Sequence, residues 1–385
     1  MKSGIVEQRH GRGCSGAERC PCPWSYRVDG PDSADGRRRQ IRKGGFPNKT
    51  AAREALADVQ RRMANGEEVG GSLTMSAYLK DWLKAKESAG RKPSTLGQYT
   101  DLTDRFLVPH LGHVRVNDLR ARHVESMIAA MEAEGRGLVT RRRTVAVLSS
   151  ALGSAVKRRL VTWNVCQQIE QPPERSEPRP VWDANQVRLF LESAGSDRLA
   201  ALWRVYCLTG VRRGEGLGLS WDSMDLESGE IRVVRTLGEV GSKLVWGTPK
   251  TAKGMRTVAL DPGTVAALRS HRGRQAAEKL ALGAGYLDEG LVFAAANGRP
   301  IWPGSVSDRF HALSEAAGLP RIRLHDLRHS AASLALAAGI DLKTVSTNLG
   351  HAGISITADR YSHVLPAAAR EAAAKVAAVV DGNTM

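Results

Sequence analysis

The spacing of apolar and polar positions changes three times along the chain. Trp24 to Val28 alternates, which predicts a strand, Gly30 to Gly36 is rich in turn residues, and Gly36 to Phe46 predicts returning strands. Asn48 or Thr50 can cap a helix running through AAREALADVQRRMA, so residues 1–71 read as a small α+β domain of one sheet and one helix. From residue 72 the apolar positions recur at helical spacing. Tyr78, Leu79, Trp82 and Leu83 share one face, Pro93 suits the first turn of a second helix, and ARHVESMIAAMEAEG and LVTRRRTVAVLSSALGSAVKRRL supply two more. Residues 72–171 are therefore expected to form an all-α bundle. The stretch QPPERSEPRP that follows has four prolines in ten residues and reads as a stiff linker over 172–180. Residues 181–366 are mixed. Helices fit DANQVRLFLESAG and LAALWRVYCLTG, strands fit GEIRVVRTL, KLVWGTPK and MRTVAL, and helical sequence resumes from Pro262, predicting a mainly α domain with a small β-sheet. The Ala-rich AAAREAAAKVAAVV after Pro366 predicts a helical tail over 367–385.

Composition narrows the function. A chain of 385 residues exceeds what one hydrophobic core usually organises, and 42% hydrophobic content with eight Trp excludes wholesale disorder. No run reaches the ~18–20 apolar residues that would span a bilayer, and no apolar stretch near Met1 could act as a secretory signal, so no membrane association and cytoplasmic residence in a bacterial host, near the nucleoid, are expected. Fifty-six Lys and Arg against 40 Asp and Glu leave a formal charge of +16, distributed as +5, +7 and +4 over the three domains. Such an excess points to a polyanion, because nucleic-acid affinity grows by displacing counterions from phosphates; a solvated basic surface is the alternative. Arg37, Arg38, Arg39, Arg42 and Lys43 would project from the N-terminal sheet, either into a DNA groove or as a charged edge that blocks aggregation. Two further clusters, Arg141, Arg142 and Arg143, and Lys157, Arg158 and Arg159, lie near predicted helix ends and are read as phosphate contacts rather than solvated faces.

Five cysteines in a cytosolic chain do not make a disulfide framework. His10, Cys14, Cys20 and Cys22 have the composition of a Cys₃His zinc site, yet lack the paired CxxC spacing of common zinc modules. They are read as free thiols in a mobile N-terminal segment, with no metal assigned. Cys166 and Cys207 fall in apolar helical contexts and are expected to be buried packing residues.

The third domain carries an ordered set of short motifs: TGVRRGE with Arg212, PKTAKGMRTVAL with Lys250, HDLRH with His325 and Arg328, LGH with His351, and DRYSHV with Tyr361. Each is weak alone. Together, two arginines, two histidines, a lysine and a tyrosine form an anion-binding and proton-transfer set with one oxygen nucleophile and no carboxylate cage for magnesium. The set resembles the tyrosine recombinase family in its phage-integrase branch. Tyr361 stands ten positions after His351, which itself follows Leu349 and Gly350. The resemblance covers residues about 177–366 through motifs and the whole chain through domain order: an arm-type DNA-binding domain (1–71), a helical, SAM-like core-binding domain (72–171) and a catalytic domain (181–366). It implies the tyrosine recombinase fold and the catalytic residues Arg212, Lys250, His325, Arg328, His351 and Tyr361, with Glu215 orienting Arg212 and Lys253 the second choice of lysine.

Charge development assigns the roles. In-line attack on a phosphodiester builds negative charge on its equatorial oxygens, and Arg212 and Arg328 can each hold two of them in a fork. Tyr361, a phenol of ordinary pKa about 10, needs a base or a positive field. His325 is the candidate for that proton transfer, His351 a hydrogen-bond donor to the phosphate, and Lys250, on an expected flexible β-hairpin, the source of the 5′-hydroxyl's proton. The resemblance implies a 3′-phosphotyrosine intermediate, hence no ATP and no catalytic metal, and GxxxxGK[ST] is absent. It also implies double-stranded attachment sites of core and arm type, a homotetramer on DNA, DNA-bending and directionality accessory proteins, and a tail that packs on a neighbouring subunit rather than its own. The function expected is site-specific integration and excision of a phage or other mobile element. A type IB-like topoisomerase is one alternative, disfavoured by the separate basic N-terminal module and the short nucleophile segment; a non-catalytic architectural protein is the other, for which the basic domains would suffice and the six-residue constellation would be accidental.

Overall fold

A computed structural model describes residues 4–8, 10, 14, 20–30, 40–64, 73–170, 180–249, 254–350, 353–355, 358, 377 and 380. Arg37, Arg38, Arg39, Lys250, Lys253, His351 and Tyr361 lie outside the described residues, as do the linker apart from Pro180 and the tail apart from Ala377 and Val380. Internal contacts divide the chain into two units, meeting between Ser176 and Glu177.

The first unit begins with an antiparallel sheet of β1 (Gly4–Gln8), β2 (Trp24–Asp29) and β3 (Gln40–Phe46), in that order, followed by α1 (Lys49–Ala64). Asn48 is the cap, accepting from the Ala51 amide at 2.8 Å. Tyr26, Val28 and Ile41 pack under Leu56 and Val59 of α1. β1 corrects the expected mobile segment for residues 4–8. With only Ile5 and Val6 apolar it shows little alternation, and its order comes from pairing Gly4 to Val28 through Gln8 to Trp24. Gly4 lets it approach α1, since a Cβ there would come within 2.6 Å of Leu56 Cδ1.

The same unit contains α2 (Met75–Ser88), α3 (Pro93–Leu102), α4 (Val108–Leu111), α5 (Ala121–Ala133) and α6 (Leu138–Lys157). Their apolar stripes close on a core that includes Tyr78, Leu79, Trp82, Leu107, Met127 and Leu148. The polar tips of Tyr78 and Trp82 are satisfied, Tyr78 Oη donating to Ala151 O at 2.6 Å and Trp82 Nε1 to Ser154 Oγ at 3.2 Å. The helix from Pro93 is not uniform. Thr103–Leu107 forms a π-helical turn in which the Val108 amide reaches Thr103 O, and Pro109, which has no N–H, follows at once.

The second unit is built round α8 (Ala200–Thr209), whose Leu202, Trp203, Val205, Tyr206 and Cys207 are buried against α7 (Ala184–Ser193), α10 (Pro262–Leu282), α11 (Pro303–Ala316) and α12 (Leu327–Ala337). The short α9 (Arg213–Leu217) follows α8, and α13 (Leu342–Leu349) packs on α12. Two small sheets replace the three strands expected. β4 (Met224–Asp225), β5 (Glu230–Val233) and β8 (Arg256–Ala259) form one, in the order β4-β5-β8, and β6 (Thr236–Val240) pairs with β7 (Lys243–Gly247) in the other. GEIRVVRTL breaks because Arg235 turns back, its Nε donating to Gly218 O at 2.8 Å and its guanidinium lying 4.9 Å from the Trp246 ring centre. The strands that flank Lys250 do not form the expected hairpin with each other. β7 pairs with β6 and β8 with β5, so the segment carrying Lys250 connects two sheets.

Candidate active site

Two helix ends and one strand start frame the site. α8 ends at Gly210 and α13 at Gly350, both left-handed, with φ of 63° and 64°. Helices that stop this way leave carbonyls without partners, and the two predicted arginines take them. Arg328, buried at the start of α12, donates from Nη1 to Gly210 O at 2.7 Å and from Nη2 to Leu349 O. Arg212, which precedes α9, reaches Gly350 O from Nη2 at 3.3 Å. Residues more than a hundred positions apart are thereby held together.

Glu215 is the carboxylate on which the site is hung. One oxygen accepts from Arg212 Nη1 at 2.6 Å, and the other from the Arg212 backbone N–H at 3.0 Å and from Arg256 Nη2 at 2.9 Å. Burial works to raise its pKa, but the Arg256 hydrogen bond and the charges of Arg256 and Arg212 outweigh it, so the carboxyl lies below its ordinary range and stays ionised. Arg256, equally buried, donates from Nε to Asn348 O at 2.5 Å and from Nη1 to Gly254 O at 3.0 Å. It stands at the start of β8, just past the segment containing Lys250. Arg212 keeps 37% of its side chain exposed, enough to meet an incoming anion.

His325 sits on the 3₁₀ turn Leu324–Asp326 that leads into α12, edge-on to His329 with ring centres 5.6 Å apart. Its ring has an open edge, yet loss of hydration, reinforced by the charges of Arg328, Arg212 and Arg323, pushes its pKa down to about 4. The imidazole is therefore neutral at neutral pH, able to accept a proton. Asp326 beside it is forked by Arg323, with N–O distances of 2.9 and 2.7 Å, which fixes the turn.

Matches with known proteins place the chain in a family. Residues 181–367, a span holding Arg212, His325, Arg328, His351 and Tyr361, match the phage integrase family, and residues 22–63 match an Arm DNA-binding domain. An integrase of Streptomyces ambofaciens is 31% identical over 346 residues, covering 84% of this chain and 85% of its own. The chain belongs to the phage integrase family of tyrosine recombinases. It is thus a site-specific recombinase, an enzyme of DNA strand cleavage and rejoining. Its fold is that of the Tn1549 transposon integrase solved with a circular intermediate DNA (TM-score 0.65, 19% identity, 79% of this chain and 100% of that one). The lambda integrase tetramer on a Holliday junction shares it as well (TM-score 0.55, 19% identity, 85% and 93%).

In this recombinase the basic clusters divide. Arg141 is half-buried and paired with the exposed Glu132 at 2.7 Å, and Arg142 is half-buried, whereas Arg143 is exposed on a cleft with Gln98, Arg105 and Arg136. Lys157, Arg158 and Arg159 are exposed at the C-terminal end of α6, where cations also offset the helix dipole. Arg42 and Lys43 are exposed on β3, and Arg42 faces Arg27 across the sheet on the side away from α1. Two residues escaped the sequence reading. Arg27 lies within an alternating strand and Arg256 in a strand start, and no local pattern separates either from an ordinary surface arginine. Cys166 and Cys207 are buried as expected, and burial pushes the Cys166 thiol up to about 12. His10, Cys14, Cys20 and Cys22 converge beside the N-terminal sheet.

Proposed function

We propose that this recombinase integrates and excises a phage or related mobile element, with Tyr361 attacking a DNA phosphate held between Arg212 and Arg328. The observation that carries the reading is the fastening of both guanidiniums to the Gly210, Leu349 and Gly350 carbonyls, with His325 neutral beside them. Cations already fixed by backbone carbonyls need little reorganisation as charge develops on the phosphoryl oxygens. His325 takes the phenolic proton of Tyr361, His351 donates to a phosphoryl oxygen, and Lys250 protonates the departing 5′-hydroxyl. The resulting 3′-phosphotyrosine keeps the energy of the broken bond, so neither ATP nor a catalytic metal enters the reaction. Residues 1–71 hold arm-type sites and 72–171 core-type sites. Four subunits act on two duplexes, as the junction-bound lambda tetramer suggests, each tail docking on a neighbour, with DNA-bending and directionality proteins setting the outcome.

The test is Tyr361→Phe on a nicked attachment-site duplex. Wild-type protein should form a covalent adduct resistant to detergent and the variant none, while binding the duplex within a few-fold of wild type. Adducts persisting unchanged in the variant would remove Tyr361 as nucleophile. Supercoil relaxation by wild type without junction formation would instead favour a topoisomerase.

A further inference from the structure

The convergence of His10, Cys14, Cys20 and Cys22 is used by nothing in the recombination chemistry. Their ligand atoms all lie within 4.8 Å of one another. His10 Nδ1 is 3.4 Å from Cys14 Sγ and 3.2 Å from Cys20 Sγ, and Cys22 Sγ is 3.5 Å from Cys14 Sγ. A tetrahedral zinc with Zn–S of about 2.3 Å and Zn–N of about 2.0–2.1 Å requires ligand-to-ligand edges of about 3.5–3.8 Å. Each close pair is thus within a few tenths of an ångström of an edge. A disulfide joins only two sulfurs and would leave the third thiol and the imidazole unexplained.

We propose that these four residues form a structural zinc site that clasps the loop between β1 and β2. Three thiolates and an imidazole are soft donors suited to zinc, and four protein ligands leave no open position for catalysis. The described residues at either end of the loop support it. His10 follows β1 closely, Cys22 precedes β2, and the Gln8 side-chain amide donates to the carbonyls of Cys20 at 3.1 Å and Cys22 at 2.8 Å. There is also a reason to need it. Among the described residues the module's buried hydrophobic cluster is Tyr26, Val28, Ile41, Leu56 and Val59, and cores this small commonly rely on a metal or a disulfide. The chain spacing, CxxxxxCxC with a histidine four residues ahead, is why the sequence did not announce the site.

Zinc would be measured by inductively coupled plasma mass spectrometry on full-length protein purified with reductant from zinc-supplemented cells. One zinc per chain is expected in wild type and in Cys166→Ser, falling to a small fraction in Cys20→Ser and Cys22→Ser. Because those variants can lose the module's fold, wild type is also exchanged with Co²⁺, which should give the intense visible bands of tetrahedral thiolate cobalt. Zinc equally substoichiometric in wild type and Cys20→Ser, octahedral cobalt spectra, or a Cys14–Cys22 disulfide in non-reducing peptide mapping would each overturn the proposal. Tyr361 chemistry plays no part in these readouts, so they stand or fall separately from the recombination mechanism.

Discussion

Glu215 offsets the repulsion between Arg212 and Arg256 by binding both through one carboxylate, and burial makes that arrangement costly to disturb. Removing one partner of a buried ion pair typically costs about 3–5 kcal/mol, because the remaining charge is left unpaired. Glu215→Gln should therefore lower the urea midpoint and depress adduct formation together. Arg328→Lys and Arg212→Lys should act differently. A lysine keeps the charge but cannot span two oxygens, so cleavage should fall by about 10²–10³-fold, the scale of losing one oriented oxyanion donor, with duplex affinity nearly unchanged in a gel-shift titration. His325 gives the pH prediction. Its pKa is lowered, so the neutral form persists well below the ordinary 6.5 and the ring can act as a proton acceptor throughout the neutral range. Its ring signals in DNA-free protein should titrate near pH 4 by NMR. A midpoint near 6.5 would show that the ring is hydrated and not held among the neighbouring arginines.

At the scale of elements, the left-handed ends of α8 and α13 do the positioning. Gly210 has φ of +63°, and a Cβ there would lie 2.8 Å from Leu349 Cδ2. Gly210→Ala should thus cost about 1–3 kcal/mol and shift the carbonyl that holds Arg328, lowering adduct yield as well as the urea midpoint. Gly153→Ala is the contrast. It lies within α6 with nothing within 4 Å of its Cβ position, so about 0.5–1 kcal/mol of stabilisation is expected, with activity intact. The helices of residues 72–157 were legible because a 3.6-residue period repeats over many turns. β1 and the division of β5 to β8 between two sheets were not. A strand of five residues has little period to read, and partner choice is set by side chains such as Arg235 turning toward a distant carbonyl.

For the whole molecule, the +16 charge predicts that DNA affinity falls steeply with salt. If the sheet face bearing Arg27 and Arg42 lies on arm-type DNA, Arg42→Gln should reduce the slope of log Kd against log salt by about 0.9 per lost phosphate contact. Core-site cleavage should be unaffected by the same change. Equal slopes for wild type and variant would leave the face as a guarded sheet surface.

By itself the sequence determined what is local or additive: helix periods, the proline-rich break, net charge, and the order in which Arg212, His325, Arg328, His351 and Tyr361 occur. Tertiary structure decided which distant groups meet. Glu215 and Arg256 are 41 positions apart, and Arg212 and Gly350 are 138 apart. Neither pairing leaves a trace in either segment's own pattern, because an arginine at a strand start looks alike whether it faces water or a buried carboxylate. The same holds for His10 and the three N-terminal thiols. Their spacing matches no common module, and only the pairing of β1 with β2 brings them within reach of one ion.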